Sequence, residues 1–256
     1  MMHLRAVFFD FVNTLAEFHD LSFRDTSRNL HQLLDQADFK VSYSQFHQYY
    51  TEVIQGYISI RKKMHKEVSN LDFIVGTLKR LGMGAKKSDP KLHSIVNAYF
   101  IPFRESLRIF PKTRETLTIL KEDFCIKLGV ISNFTSTMAI HDFLKHLDLK
   151  HFFDVIVVSS EVGMRKPHRH IFEIGLQKME VEPKEAAFVG DDIVCDIAGA
   201  NDMGMVTIQV GSPAPPPIDQ LAEVGQTTKE PCLPDYKVDS IFEVVDIISN
   251  LCQSSK

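Results

Sequence analysis

A chain of 256 residues with 44% hydrophobic content is long enough to bury one large domain together with a smaller appended unit. Its 29 basic and 33 acidic residues leave a formal charge of -4, which gives no polycationic surface and excludes nucleic acid or an anionic membrane as the expected partner. The cysteines, Cys125, Cys195, Cys232 and Cys252, are scattered without a C-x-x-C pair or a Cys/His zinc spacing, and no apolar stretch approaches the ~20 residues of a membrane span, so the expected setting is cytoplasmic.

In chain order, short apolar runs rich in β-forming residues occupy residues 5–10, 127–132, 154–159, 186–190 and 205–209, each ending abruptly in polar or small residues. They read as buried strands. Between them, residues 114–122 and 138–147 carry helical periodicity, and this alternation predicts an α/β fold, a doubly wound parallel sheet of Rossmann-like type. Residues 17–100 break the pattern: apolar positions recur at three and four spacing in 21–34, 46–60 and 71–81, with no convincing strand. The expected organisation is a core of residues 1–16 and 101–256 with a helical cap at 17–100. The prolines of GSPAPPPIDQ predict a surface loop over 211–234, followed by an edge strand at 236–238 and a helix at 240–252.

Ligands of an open α/β sheet bind at the carboxyl ends of the strands. Asp10, Ser132 with Asn133, and Asp191 with Asp192 all terminate expected strands and should share one rim. Carboxylates gathered there repel one another unless a cation lies between them, and oxygen ligands on short loops suit Mg2+. Asp196, one turn into the following helix, is placed to orient a water of the bound metal. Lys166, beside Pro167, supplies a fixed positive charge, and Ser132 supplies donors to an anionic oxygen. These are the parts required to bind a phosphoryl group and attack it in line.

FFDFVNTL, GVISN, MRKPHRHIF and FVGDDIVCDIAGANDMGM resemble, in order and spacing, the four motifs of the haloacid dehalogenase-like (HAD-like) hydrolase superfamily. The resemblance implies a Mg2+-dependent phosphatase acting on a small phosphorylated metabolite. Asp10 would be the nucleophile that forms an aspartyl-phosphate, Ser132 would contact the phosphoryl oxygens, and Lys166 would hold nucleophile and phosphate together. Asn133 and Thr14 would stand on the substrate side, Thr14 also buttressing the turn. The metal would be bound by Asp10, the backbone carbonyl of Val12 and Asp191, assisted by Asp192 or Asp196.

Val12 departs from the pattern, because phosphatases of this family carry there an aspartate that protonates the leaving oxygen and activates water. General acid–base help is worth about 10²–10⁴-fold, so alkyl esters should suffer most and acyl or aryl phosphates least. His19 and Asp20, where the chain leaves the core, are candidate replacements. The alternatives are a non-catalytic fold that binds a phosphorylated ligand or a partner protein, a phosphonate hydrolase using Lys62, Lys63 or Lys66 as a Schiff base, and a haloacid dehalogenase, against which Asp191 and Asp192 count. Within the cap, Tyr49, Tyr50 and Tyr57 are expected to pack, and Arg24 is the charge to test for substrate recognition.

Overall fold

The computed structural model of the chain describes residues 4–211 and 233–253, so nearly all of the loop expected at 211–234, and Cys232 with it, lies outside the described residues. Strand β1 (Ala6–Phe9) lies at the centre of a parallel sheet with β4 (Lys127–Ser132) and β5 (Val155–Val158) on one side, and β6 (Ala186–Gly190), β7 (Val206–Val210) and β8 (Tyr236–Val238) on the other. Each expected strand is present to within a residue at either end, and the sheet is the doubly wound parallel one that their alternation with helices predicted. No described helix is long and apolar enough to cross a membrane.

The pleat of β1 divides its side chains between two apolar layers. Val7 and Phe9 face the larger cluster, whereas Ala6 and Phe8 face a smaller one formed with helix α9 (Arg169–Met179). All of β1 is buried because helices cover both faces, which is why its sequence, AVFF, is continuously apolar rather than alternating.

The segment between Asp10 and β4 holds the first departure from expectation. Residues Ala16–Phe18 form strand β2, which pairs antiparallel with β3 (Leu107–Ile109), so the helical insertion is entered and left through a two-stranded ribbon. A three-residue strand is too short to show alternation, and its partner lies far along the chain. Within the insertion, α1 (Phe23–Gln36), α2 (Tyr43–Met64) and α3 (Asn70–Arg80) start at Ser22, Ser42 and Ser69, whose hydroxyls accept backbone N–H bonds of the first turn. Ser69 and Asp72 complete a reciprocal capping box. Helix α4 (Pro90–Tyr99), capped by Asp89 with Pro90 in its first turn, was not foreseen as an element of its own, and α5 (Ile101–Ser106) leads into the ribbon.

The insertion shares the larger apolar cluster with the sheet: Leu30, Phe46, Ile74 and Leu92 belong to it as Val130 and Val189 do. At the seam, Phe100, Phe134 and Phe143 form a mutual aromatic triangle with centroids 5.5 to 6.2 Å apart. Tyr50 is buried against Phe46 and Phe23, and Tyr57 packs on Phe73, as expected of a packed helix face. Arg24, Lys62, Lys63 and Lys66 are exposed.

Helix α9 approaches the sheet closely because Gly129 has no side chain. A Cβ there would lie 2.6 Å from the Phe8 ring and 2.9 Å from Met179 Cε. Gly129→Ala is expected to destabilise the protein by about 1–3 kcal/mol through overpacking, read as a lowered urea midpoint with an unchanged slope. An unchanged midpoint would show that the two layers have slack.

Candidate active site

The sheet order places the carboxyl ends of β4, β1 and β6 side by side, at the point where the chain switches from one side of β1 to the other. Asp10 therefore stands between Ser132 on one flank and Asp191 on the other. Asp10 N–H donates to the Val189 carbonyl at 2.9 Å, which extends the β1–β6 pairing by one residue and fixes the direction of its side chain.

The turn that follows is tight. Leu15 and Ala16 both donate to the Phe11 carbonyl, Asn13 donates to Ala16, and Asn13 adopts a left-handed φ of 65°, a conformation that asparagine tolerates better than most residues. This turn turns Thr14 inward, where its hydroxyl donates to Asp191 Oδ1 at 3.3 Å. Val12 is 6% exposed and belongs to the larger apolar cluster, so its side chain contributes packing and offers no proton.

Lys166 is the positive centre. Its Nζ lies 2.7 Å from Asp10 Oδ1 and 2.7 Å from Asp196 Oδ1, with the side chain almost wholly buried above the Phe188 ring. Burial alone would lower the lysine pKa, but Asp10 and Asp196 outweigh that and raise it, so the ammonium stays charged. Asn133 was expected on the substrate side. Its amide instead brackets the Lys166 backbone, Oδ1 accepting from Lys166 N–H at 2.8 Å and Nδ2 donating to the Lys166 carbonyl at 3.0 Å. Ser132 ends β4 as expected and is buried.

The acidic residues divide into two roles. Asp10, Asp191 and Asp196 bring carboxylate oxygens within 4.8 Å of one another. Asp192, expected to assist a metal, is the N-cap of the π-helical turn Ile193–Ala198: its Oδ1 accepts from Val194 and Cys195 N–H, both at 2.8 Å. Asp196 is drawn to the strand end by an accepted bond from Asp192 N–H at 3.2 Å and by Gly190, where a Cβ would lie only 2.3 Å from Asp196 Oδ2. Neither the clamp by Asn133 nor the space left by Gly190 was read from the sequence, although a glycine directly before a pair of aspartates is a visible sign of close approach. His19 and Asp20 are exposed beyond β2, where the His19 ring meets Glu17 at 3.0 Å.

Three carboxylates facing one ammonium leave excess negative charge. Asp191 is pushed up to about 7, first by burial and then by the Asp10 and Asp192 carboxylates, and Asp196 is raised well above the ordinary range by burial despite Lys166. A cation among Asp10, Asp191 and Asp196 would relieve both, and an all-oxygen donor set suits a hard divalent ion. The residues present fit a metal.

Because the folded pKa of Asp191 exceeds the unfolded one, its contribution to stability is present below the unfolded value near 3.8 and is lost as pH rises through about 7. In metal-free buffer the melting temperature of the natural protein, measured relative to Asp191→Asn, should therefore fall between about pH 4 and pH 8. A difference that stays flat or rises over that window would show that Asp191 is not held in uncompensated negative surroundings.

Residues 4–204 match the family of haloacid dehalogenase-like hydrolases. A relative from Methanopyrus kandleri named glyceraldehyde 3-phosphate phosphatase is 29% identical over 255 residues, covering 98% of this chain and 99% of that protein. A relative from Halopiger xanaduensis named ribulose-1,5-bisphosphate 5-phosphatase is 29% identical over 153 residues, 60% of this chain and 62% of that protein, so the match spans less than two thirds of its length. The crystal structure of a HAD phosphatase from Thermococcus onnurineus superposes with a TM-score of 0.64 over 96% of this chain and 98% of that one, and at 21% identity this is a likeness of fold. With the family pattern running through the sheet, the insertion and the acidic rim alike, this chain belongs to the haloacid dehalogenase-like hydrolase family.

Proposed function

We propose that the protein is a Mg2+-dependent phosphatase of small phosphorylated metabolites, acting through an Asp10 phosphoenzyme, with the helical insertion as the cap over the site. The observation that carries this reading is Lys166 Nζ held 2.7 Å from both Asp10 and Asp196 at the edge of a three-carboxylate cluster. The names of the relatives, which specify phosphorylated sugars, support the substrate class.

Asp10, Asp191 and Asp196, with the Val12 carbonyl, would hold Mg2+, which when bound neutralises phosphoryl oxygens and lowers the repulsion between phosphate and carboxylate. Lys166 fixes Asp10 through Oδ1, which leaves Oδ2 as the oxygen for attack on phosphorus. Asp10 Oδ2 forms the new bond to phosphorus while the opposite P–O bond breaks, and its electron pair departs with the leaving oxygen. Ser132 and Lys166 share the negative charge of the transferred group. Water then attacks phosphorus, phosphate leaves, and the Asp10 carboxylate is restored with the water's proton passing to phosphate or solvent.

Val12 sets the leaving-group preference. With an apolar side chain at this position, a leaving group that departs as a stable anion, such as an acyl or aryl phosphate, needs no proton from the protein. A second reading, a HAD fold that binds a phosphorylated ligand without turning it over, is favoured by the same residue. Mg2+-dependent phosphate release from acetyl phosphate is expected with the natural protein and is expected to vanish with Asp10→Asn. Val12→Asp, in folded protein, should raise turnover of an alkyl phosphate ester by about tenfold or more relative to acetyl phosphate. Release from neither the natural protein nor Val12→Asp would favour the binding reading.

A further inference from the structure

Glu67 lies in the linker between α2 and α3, within the insertion, yet its side chain is 1% exposed and collects donors from both the insertion and the sheet. Oε1 accepts from Arg61 Nη2 at 2.9 Å and from Val68 N–H at 2.8 Å. Oε2 accepts from Arg165 Nη1 at 2.6 Å and from the Ser159 hydroxyl. Burial works against the charged carboxylate, but Arg165, Arg61 and these hydrogen bonds outweigh it and keep Glu67 ionised.

Of the two sheet-side partners, Arg165 lies in the segment that carries Lys166, and Ser159, just after β5, bonds to the loop that follows Ser132. Arg165 directly precedes Lys166. Ser159 Oγ also accepts from Phe134 N–H at 2.9 Å, two residues beyond Ser132. Backbone bonds run alongside: Arg165 N–H donates to the His65 carbonyl at 2.8 Å, Glu67 N–H to the Gly163 carbonyl at 2.9 Å, and Asn70 N–H to the Thr135 carbonyl at 3.1 Å. Lys66 and Met164 form a short antiparallel bridge between these bonds. With Asn133 bracketing Lys166, the contacts close a ring from Glu67 through Arg165 and Lys166 to Asn133, Phe134, Ser159 and back to Glu67.

We propose that Glu67 is a positioning residue through which the helical insertion holds Lys166 against Asp10 and Asp196. Without its carboxylate, Arg165 loses the partner that draws the 163–166 segment onto the insertion, and the loop bearing Lys166 is left with fewer anchors. The proposal rests on Lys166 serving the phosphoryl site described above, and two separate readouts keep the failure of one reading distinct from the failure of the other.

The experiment compares the full natural chain with Glu67→Gln, Arg165→Gln and a control, Leu144→Ala, which is destabilised in the buried face of α7 (Thr137–His146) away from these contacts. Arg165→Gln leaves a neutral Glu67–Arg61 pair inside the insertion, so it decides alone if Glu67→Gln does not fold. Each is exposed to an amine-acylating reagent in buffer where it is fully folded, and labelling of Lys166 is read by mass spectrometry against exposed Lys62 in the same molecule. Local opening of the 163–166 segment should raise Lys166 labelling by about tenfold in both ring variants and not in Leu144→Ala. An increase below about fivefold, or an equal one in the control, overturns the proposal. With acetyl phosphate, kcat should fall by about tenfold in the ring variants while KM stays within about twofold, and an unchanged kcat also overturns it. A natural protein that releases no phosphate overturns the phosphatase reading, and the labelling result then stands by itself for Glu67.

Discussion

The arrangement depends on one buried ammonium. Lys166 Nζ lies between Asp10 and Asp196, and a buried charge of this kind is tolerable only with close partners, because desolvation of an ion costs several kcal/mol even after relaxation. The requirement reaches outward from there. Gly190 leaves room for Asp196, Asn133 fixes the Lys166 backbone, and Phe188 underlies the lysine from the next strand. The carboxylates are not fully compensated in return: burial first, and the neighbouring carboxylates after it, raise the pKa values of Asp191 and Asp196. The donor set of Asp10, Asp191 and Asp196 is one that a divalent cation would fit.

Coupling between the insertion and the sheet has an apolar part and an ionic part. The aromatic triangle of Phe100, Phe134 and Phe143 acts mainly through apolar burial, which is less directional than a charged hydrogen bond and would tolerate small shifts of the insertion. The Glu67 contacts are directional, and they meet Arg165 beside Lys166 and, through Ser159, the loop that follows Ser132. The first kind of contact supplies burial, the second supplies register, and together they make the position of the insertion relevant to the chemistry at the rim.

Val12 marks the boundary between family and function. The turn around it, the left-handed Asn13 and the Thr14 contact with Asp191 are compatible with a working phosphoryl site. Under the proposed phosphatase reading, the valine would change which leaving groups the site can release without help, since its side chain packs into apolar surroundings. Membership of the hydrolase family is shown, whereas a narrowed acid–base repertoire and a phosphorylated-sugar substrate belong to the proposed function.

The parallel sheet is legible in the sequence, because fully buried strands between covering helices must be continuously apolar, and so is the placing of Asp10, Ser132 and Asp191 at one rim, because strand ends converge in such a sheet. Three things were decided only by the tertiary structure. The β2–β3 ribbon joins Ala16–Phe18 to Leu107–Ile109, too short to signal itself and too distant to pair on paper. The division of labour among the acidic residues depends on backbone direction, which turns Asp192 to cap its own turn and Asp196 toward Lys166. Glu67 looks like an ordinary polar residue in KEVSN, and only folding buries it against Arg165, 98 positions away. Local patterns record which residues must be buried or must turn the chain; they do not record which buried charges will meet, because that pairing is made by contacts between segments remote in sequence.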